Sequence, residues 1–242
     1  MGRLEGTASN HTPDEEIAML TTILTNRILL KAIWAIWITL PYPVRKRKTT
    51  EGIRVLLVLK RAMGIFRQVE LTPPSKIFTL SFWGVPHLDP AQFNLTVEGR
   101  VARSLSISFG ALKTYPVVDR QITMDCVGGL RNNMMMRGVS LSALLKRAEP
   151  SPDSDTAVFH CADGYFTTHP LADLAETDAF LAYEINGQET PVHGFPLRLV
   201  APNKYGYKWA KWVVRIELAS RSPLGYWERR GLPNRAWVGD IR

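Results

Sequence analysis

FNLTVEG at residues 93–99 and LSISFG at residues 105–110 each alternate apolar and polar side chains over a few positions, and each stops at a glycine. A period of two places the apolar residues on one face of an extended chain, the pattern of a half-buried strand. TAVFHCADGYFTTHPL, residues 156–171, has the same character around a turn at Asp163 and Gly164. Helical periodicity is confined to short pieces such as SLSALLKRA, residues 140–148, where Leu141, Leu144 and Leu145 share a face. Strands and helices do not alternate regularly, so the expected class is α+β, mainly β with a mixed sheet, rather than a doubly wound parallel sheet.

That domain is expected to occupy residues 70–242, preceded by an extension over 1–69. The chain has 242 residues, 45% hydrophobic and 21% charged, within the range of one globular domain plus an extension. Its net charge of +8 is uneven, because residues 1–70 carry eleven Lys and Arg against six Asp and Glu. A basic balance concentrated there, with no reading motif on the domain, speaks against nucleic acid as a partner. The apolar run ILLKAIWAIWITL, residues 28–40, is short for a span and is followed by the basic block Arg45 to Lys48. It is expected to be a buried helix or one lying at a membrane surface, giving peripheral membrane contact, at least as readily as a span; were it to span, the basic block would place the domain in the cytoplasm. A disordered extension without a role in function is the plainer alternative. A second helix is expected from residue 53, in IRVLLVLKRAMGIF, and LTPPSKIF at 71–78 is expected to be an extended connection, since consecutive prolines deny the helical conformation.

Two cysteines 35 positions apart do not make a disulfide scaffold. Cys126 stands in ITMDCVGGL, residues 122–130, beside a turn of small residues, and HGFPLRLVAPNKYGYKWAKW follows at 193–212. A thiolate suits a soft metal, and a basic segment rich in aromatics suits an anionic organic group. Taken alone, however, a lone cysteine reads as a small buried hydrophobe, and the basic segment as a solvated strand.

A series of motifs in order decides between these readings. VPHLDPAQFNLTVEG, the Cys126 turn, RGVSLSALL, CADGY, FLAYEING, HGFPLRLVAP, YGYKWAKW and GYWERRG resemble the molybdopterin domain of the sulfite oxidase family, over roughly residues 70–232. The resemblance implies molybdenum and molybdopterin as cofactors, with Cys126 as the one protein ligand of the metal and Cys161 as core. It implies cofactor contacts from His193, Arg198, Lys208 and Lys211, while Lys204 is read as solvated. It also implies that Tyr183 hydrogen-bonds the reacting anion and that Arg131 helps to attract the sulfite dianion. Leu80 and Phe82 stand where sulfite oxidases have an arginine and a histidine, and Met136 where many relatives carry tryptophan. The expected function is therefore oxygen-atom transfer on a small sulfur-containing substrate, with electrons passed to a separate carrier because no haem or iron–sulfur motif is present. A reductase of sulfoxides or similar oxides is the alternative within the family. A cofactor-free binding or scaffold relative is the alternative outside enzymes.

Overall fold

The computed structural model describes residues 70–81, 83–221 and 223–239, together with Val44 and Lys48. The chain divides into two units, Met1–Pro41 and Tyr42–Arg242, and every element below lies in the second. The expected helices at 28–40 and from residue 53, and the domain boundary at residue 70, depend on residues outside those described. Among the described residues, no helix is long and apolar enough to cross a membrane.

Two sheets make up the fold. The first has five strands in the order β2-β1-β9-β5-β6, built from β1 (Asn94–Gly99), β2 (Leu105–Ser108), β5 (Thr156–Cys161), β6 (Phe166–Pro170) and β9 (Val213–Ala219). It is mixed, because β1 pairs parallel with β9 and the other pairings are antiparallel. The second is an antiparallel sheet in the order β3-β4-β7-β8, from β3 (Val117–Asp125), β4 (Arg131–Ser140), β7 (Phe180–Ile185) and β8 (Arg198–Val200). The protein is thus α+β and mainly β, as the alternating runs imply.

Burial follows the alternation. Leu95, Val97 and Ile107 point into the core from β1 and β2, while Thr96 and Glu98 do not. The longest helix among the described residues, α2 (Leu141–Ala148), follows the four-residue α1 (Phe109–Leu112) and precedes α3 (Leu171–Glu176). It starts where the Ser140 side chain accepts a hydrogen bond from the Ala143 amide at 3.3 Å, and it ends where Glu149 turns left-handed at φ 56°. Its buried face of Leu141, Leu144, Leu145 and Ala148 packs against β1 and β7, so one helix joins the two sheets. The 71–78 connection differs from the fully extended expectation, because Pro74–Lys76 form one turn of 3-10 helix. Proline is tolerated there, as the first residue of a helical turn needs no amide donor.

One close approach holds the second sheet together. A β-bulge interrupts the β4–β7 pairing between Arg137 and Gly138. A Cβ at Gly138 would lie 2.0 Å from the Leu181 carbonyl oxygen and 2.6 Å from the Ala182 Cα. Both are backbone atoms of the neighbouring strand and cannot swing aside. Gly138→Ala is expected to destabilise the domain by about 3 kcal/mol or more, read as a lower midpoint in denaturant unfolding.

Candidate active site

The β3–β4 hairpin carries the cysteine. Its strands pair in register from Val117 with Val139 to Asp125 with Arg131, leaving residues 126–130 as the turn. Within it the Cys126 amide donates to the Leu130 carbonyl and the Gly129 amide to the Cys126 carbonyl, each at 2.8 Å. Gly129 sits at φ 75°, a conformation that side chains disfavour. The Gly128 amide points at the Cys126 sulfur from 3.4 Å, and the cysteine is half-buried. Neither cysteine is in a disulfide; Cys161 is buried in the core, where desolvation holds its thiol well above the ordinary value.

Cys126 opens onto a cleft with about 900 Å³ of empty space, counting its open mouth. Met124 and Val127 flank it, and the segment Phe78 to Ser81 with Trp83 forms one wall. Asp163 and Tyr165 enter from the β5–β6 turn, and Arg198, Tyr207, Trp209, Lys211, Trp227 and Leu232 complete the lining.

Two cations in this lining stand out, although the charge of Asp163 acts on the second of them. The Arg198 side chain, almost wholly buried, donates to the His193 carbonyl at 2.9 Å and lies 3.8 Å from the Met124 sulfur, and its Nε has no hydrogen-bond partner. Burial draws its pKa down to about 10. The Lys211 ammonium donates to the Thr79 hydroxyl at 2.6 Å and the Leu80 carbonyl at 2.9 Å. Its pKa falls to about 7, first through burial and then through the charge of Arg198. Among the described residues neither forms an ion pair with a carboxylate. His193, buried behind Arg198, is held near pKa 4 by desolvation and then by these two cations, and its Nδ1 has no partner. A buried charge is costly unless something answers it, and this set would be answered by an anion.

The remaining predicted residues lie elsewhere. Lys208 is wholly buried and pairs with Glu228 at 2.5 Å while donating to the Thr168 carbonyl, so its charge is already met and it does not reach the cleft. Lys204 is not solvated as expected; it is buried against Asp173 at 2.5 Å, with the Trp237 ring 3.1 Å away. Tyr183 is buried on β7, edge-on to Phe109 at 6.2 Å, with Lys113 5.3 Å from its ring. It does not line the cleft, whereas Tyr165 and Tyr207 do. Arg131 also lies off the lining, with its Nε 2.6 Å and Nη2 2.9 Å from the two carboxylate oxygens of Asp125. Met136 is core. Asp163, whose carboxyl burial raises above the usual range, was missed by sequence reasoning, although the turn at Asp163 and Gly164 within CADGY marks where a hairpin projects it.

With the site in place, comparison assigns the class. Residues 82–227 match the family described as oxidoreductase molybdopterin binding domain, and the chain belongs to it. It is 34% identical to the uncharacterized oxidoreductase YuiH of Bacillus subtilis, over 66% of this chain and 84% of that one. Against the mitochondrial sulfite oxidase of Mus musculus it is 31% identical over 66% of this chain, but spans only 35% of that protein. A putative protein-methionine-sulfoxide reductase subunit of Azospira oryzae is 31% identical, over 61% of this chain and 56% of the other. Among solved structures the sulfane dehydrogenase SoxCD of Paracoccus pantotrophus superposes with a TM-score of 0.54 at 26% identity, covering 57% of this chain and 41% of that one. The protein is thus a molybdopterin-dependent oxidoreductase of the sulfite oxidase type, and molybdenum with molybdopterin is its cofactor.

The fit of that cofactor to the cleft can be tested through Lys211. With a folded pKa near 7, below the ordinary lysine value, its burial penalty in the cofactor-free protein is full below pH 7 and shrinks as the pH rises further. Lys211→Met is therefore expected to raise the thermal midpoint of cofactor-free protein, most at pH 6 and least at pH 9. The same variant should retain less pterin on purification.

Proposed function

We propose that the enzyme carries out oxygen-atom transfer on a small sulfur-containing substrate, in the manner of a sulfite oxidase, with Cys126 as the protein ligand of the metal. The observation that carries the reading is the meeting, in one cleft, of a half-buried cysteine with the buried Arg198 and the half-buried Lys211, two cations that form no ion pair with a carboxylate among the described residues. Their positions suit the anionic end of the pterin, which guanidinium and ammonium groups bind well. His193, neutral near pH 7, lies off the cleft lining, where its backbone carbonyl accepts from Arg198 and its buried Nδ1 has no hydrogen-bond partner. When bound, the cofactor supplies two-electron oxygen-atom transfer, and the protein contributes binding, orientation and the surrounding charge. A separate electron carrier completes the reaction, and residues 28–40 supply membrane contact in this reading.

A second reading, reduction of a sulfoxide or similar oxide, draws support from the walls of the cleft. The exposed side chains of Leu80 and Trp83, with Trp227, add apolar surface to the lining, and Arg131 is engaged by Asp125. Such walls favour an uncharged substrate over a sulfite dianion. Turnover of the molybdenum-loaded protein with sulfite and an artificial acceptor, against turnover with a sulfoxide and an artificial donor, separates the two readings. A metal-loaded protein inactive with both would overturn them together.

Cys126→Ser is expected to give folded protein with turnover abolished, because a hydroxyl donates far less charge to the metal. Cys161→Ser should lower stability by about 1 to 3 kcal/mol, the cost of a buried hydroxyl, and leave activity per bound molybdenum unchanged. Metal analysis and unfolding curves of the two variants check both.

A further inference from the structure

We propose that Arg131 is a positioning residue, which clamps the turn that presents Cys126 through its ion pair with Asp125, and is not a cation offered to an anionic substrate. The inference rests on the reading of Cys126 as the metal ligand.

Strand geometry fixes the direction of Arg131. Side chains alternate between faces along a strand, and directly paired residues of antiparallel strands share a face. Met124 lines the cleft. Its partner on β4, Asn132, accepts a hydrogen bond from the Phe78 amide of the cleft wall at 3.4 Å. Asp125 and Arg131 form the next rung and so occupy the opposite face, with Thr123 and Asn133, whose side chains hydrogen-bond at 2.7 Å.

The clamp is well made. Two nitrogens of the guanidinium meet both carboxylate oxygens, an arrangement that fixes orientation as well as separation. The Asp125 side chain is only 9% exposed and that of Arg131 24%, so the pair is shielded from the solvent that weakens surface ion pairs. It closes the rung immediately below the turn, so the turn's two internal hydrogen bonds, and the approach of the Gly128 amide to the sulfur, rest on a fixed base. Asp125 also forms a parallel bridge with Tyr205, tying that base to the segment that brings Tyr207 into the cleft. A carboxylate held this way cancels the charge that Arg131 would otherwise project.

The variants Arg131→Lys and Asp125→Asn separate the two roles in full-length, molybdenum-loaded protein. Lysine keeps the charge and loses the fork, so a substrate-attracting role predicts behaviour like wild type. Positioning predicts that Arg131→Lys alters the sulfur-to-molybdenum absorption and lowers kcat by about tenfold or more, with KM changed less than about twofold. Asp125→Asn should have the same signature, and the double variant should be no worse than either single one, because one pair is broken in every case. An unchanged absorption in Arg131→Lys, or a raised KM with kcat intact, would overturn the proposal. Cys126→Ser serves as the control. If it leaves the absorption unchanged, the ligand reading itself fails; if it abolishes the band while Arg131→Lys does not move it, only the clamp does.

Discussion

The register between β3 and β4 is the constraint on which the site depends. Because the pairing runs without a bulge from Val117 and Val139 to Asp125 and Arg131, the turn begins at Cys126 and nowhere else. A slip of one residue would exchange the faces of the whole strand. Met124 would leave the cleft and the Asp125 carboxylate would enter it, beside the sulfur. The register is specified from both sides, since Ile122, Met124 and Met134 are buried on one face while Asp125 meets Arg131 on the other. The turn can therefore be built of glycines, which specify little by themselves, because the strands beneath it leave no freedom.

A second constraint sorts the basic residues. Between 198 and 211 the chain carries Arg198, Lys204, Lys208 and Lys211, all buried to some degree. Lys204 and Lys208 meet Asp173 and Glu228 in pairs whose side chains are about 1% exposed or less. Pairs of this kind contribute little net stability but are destabilising to break, since the survivor is a buried, unanswered charge. They fix the loop from which Tyr207 and Trp209 reach the cleft. Among the described residues Arg198 and Lys211 form no such pair, which leaves them for a ligand in the proposed reading.

β1, β2 and α2 are readable in the sequence, because the two strands alternate and α2 has a clean apolar face with a serine cap, whereas β5 and β6 are buried almost throughout and are marked by the turn at Asp163 and Gly164 between them. The second sheet was harder. β3 alternates in burial, but the positions that turn inward include Arg120 and only Ile122 and Met124 are buried apolar residues, while β4 carries Asn132 and Asn133 in buried positions, so polar side chains mask the strand pattern in both. At the site, Cys126, Arg198 and Lys211 share one cleft, in keeping with the motif series. Tyr183, Lys208 and Arg131 stand apart from it, for a common physical reason. Lys208 is neutralised by Glu228, twenty positions away, and Arg131 by Asp125 across a hairpin. Tyr183 is enclosed by Phe109, from a helix seventy residues earlier. Such partners are supplied by tertiary structure and leave no local pattern.

The same reasoning limits what a motif can carry. A motif preserves residue types at spacings, and spacing along a strand fixes a face; it does not fix the charge that a residue presents. Aspartate immediately before the cysteine turns an arginine five residues after it from a field source into a strut, because the pair's charges cancel within 3 Å. On the other wall the leucine at position 80 brings no charge, and its backbone carbonyl accepts a hydrogen bond from Lys211. Neither Arg131, paired with Asp125, nor Leu80 adds a positive side chain to the lining, which keeps Arg198 and Lys211. A lining that sets Arg198 and Lys211 among aromatic and apolar side chains keeps the means to hold an anionic cofactor, and in the proposed second reading it relaxes the demand for an anionic substrate.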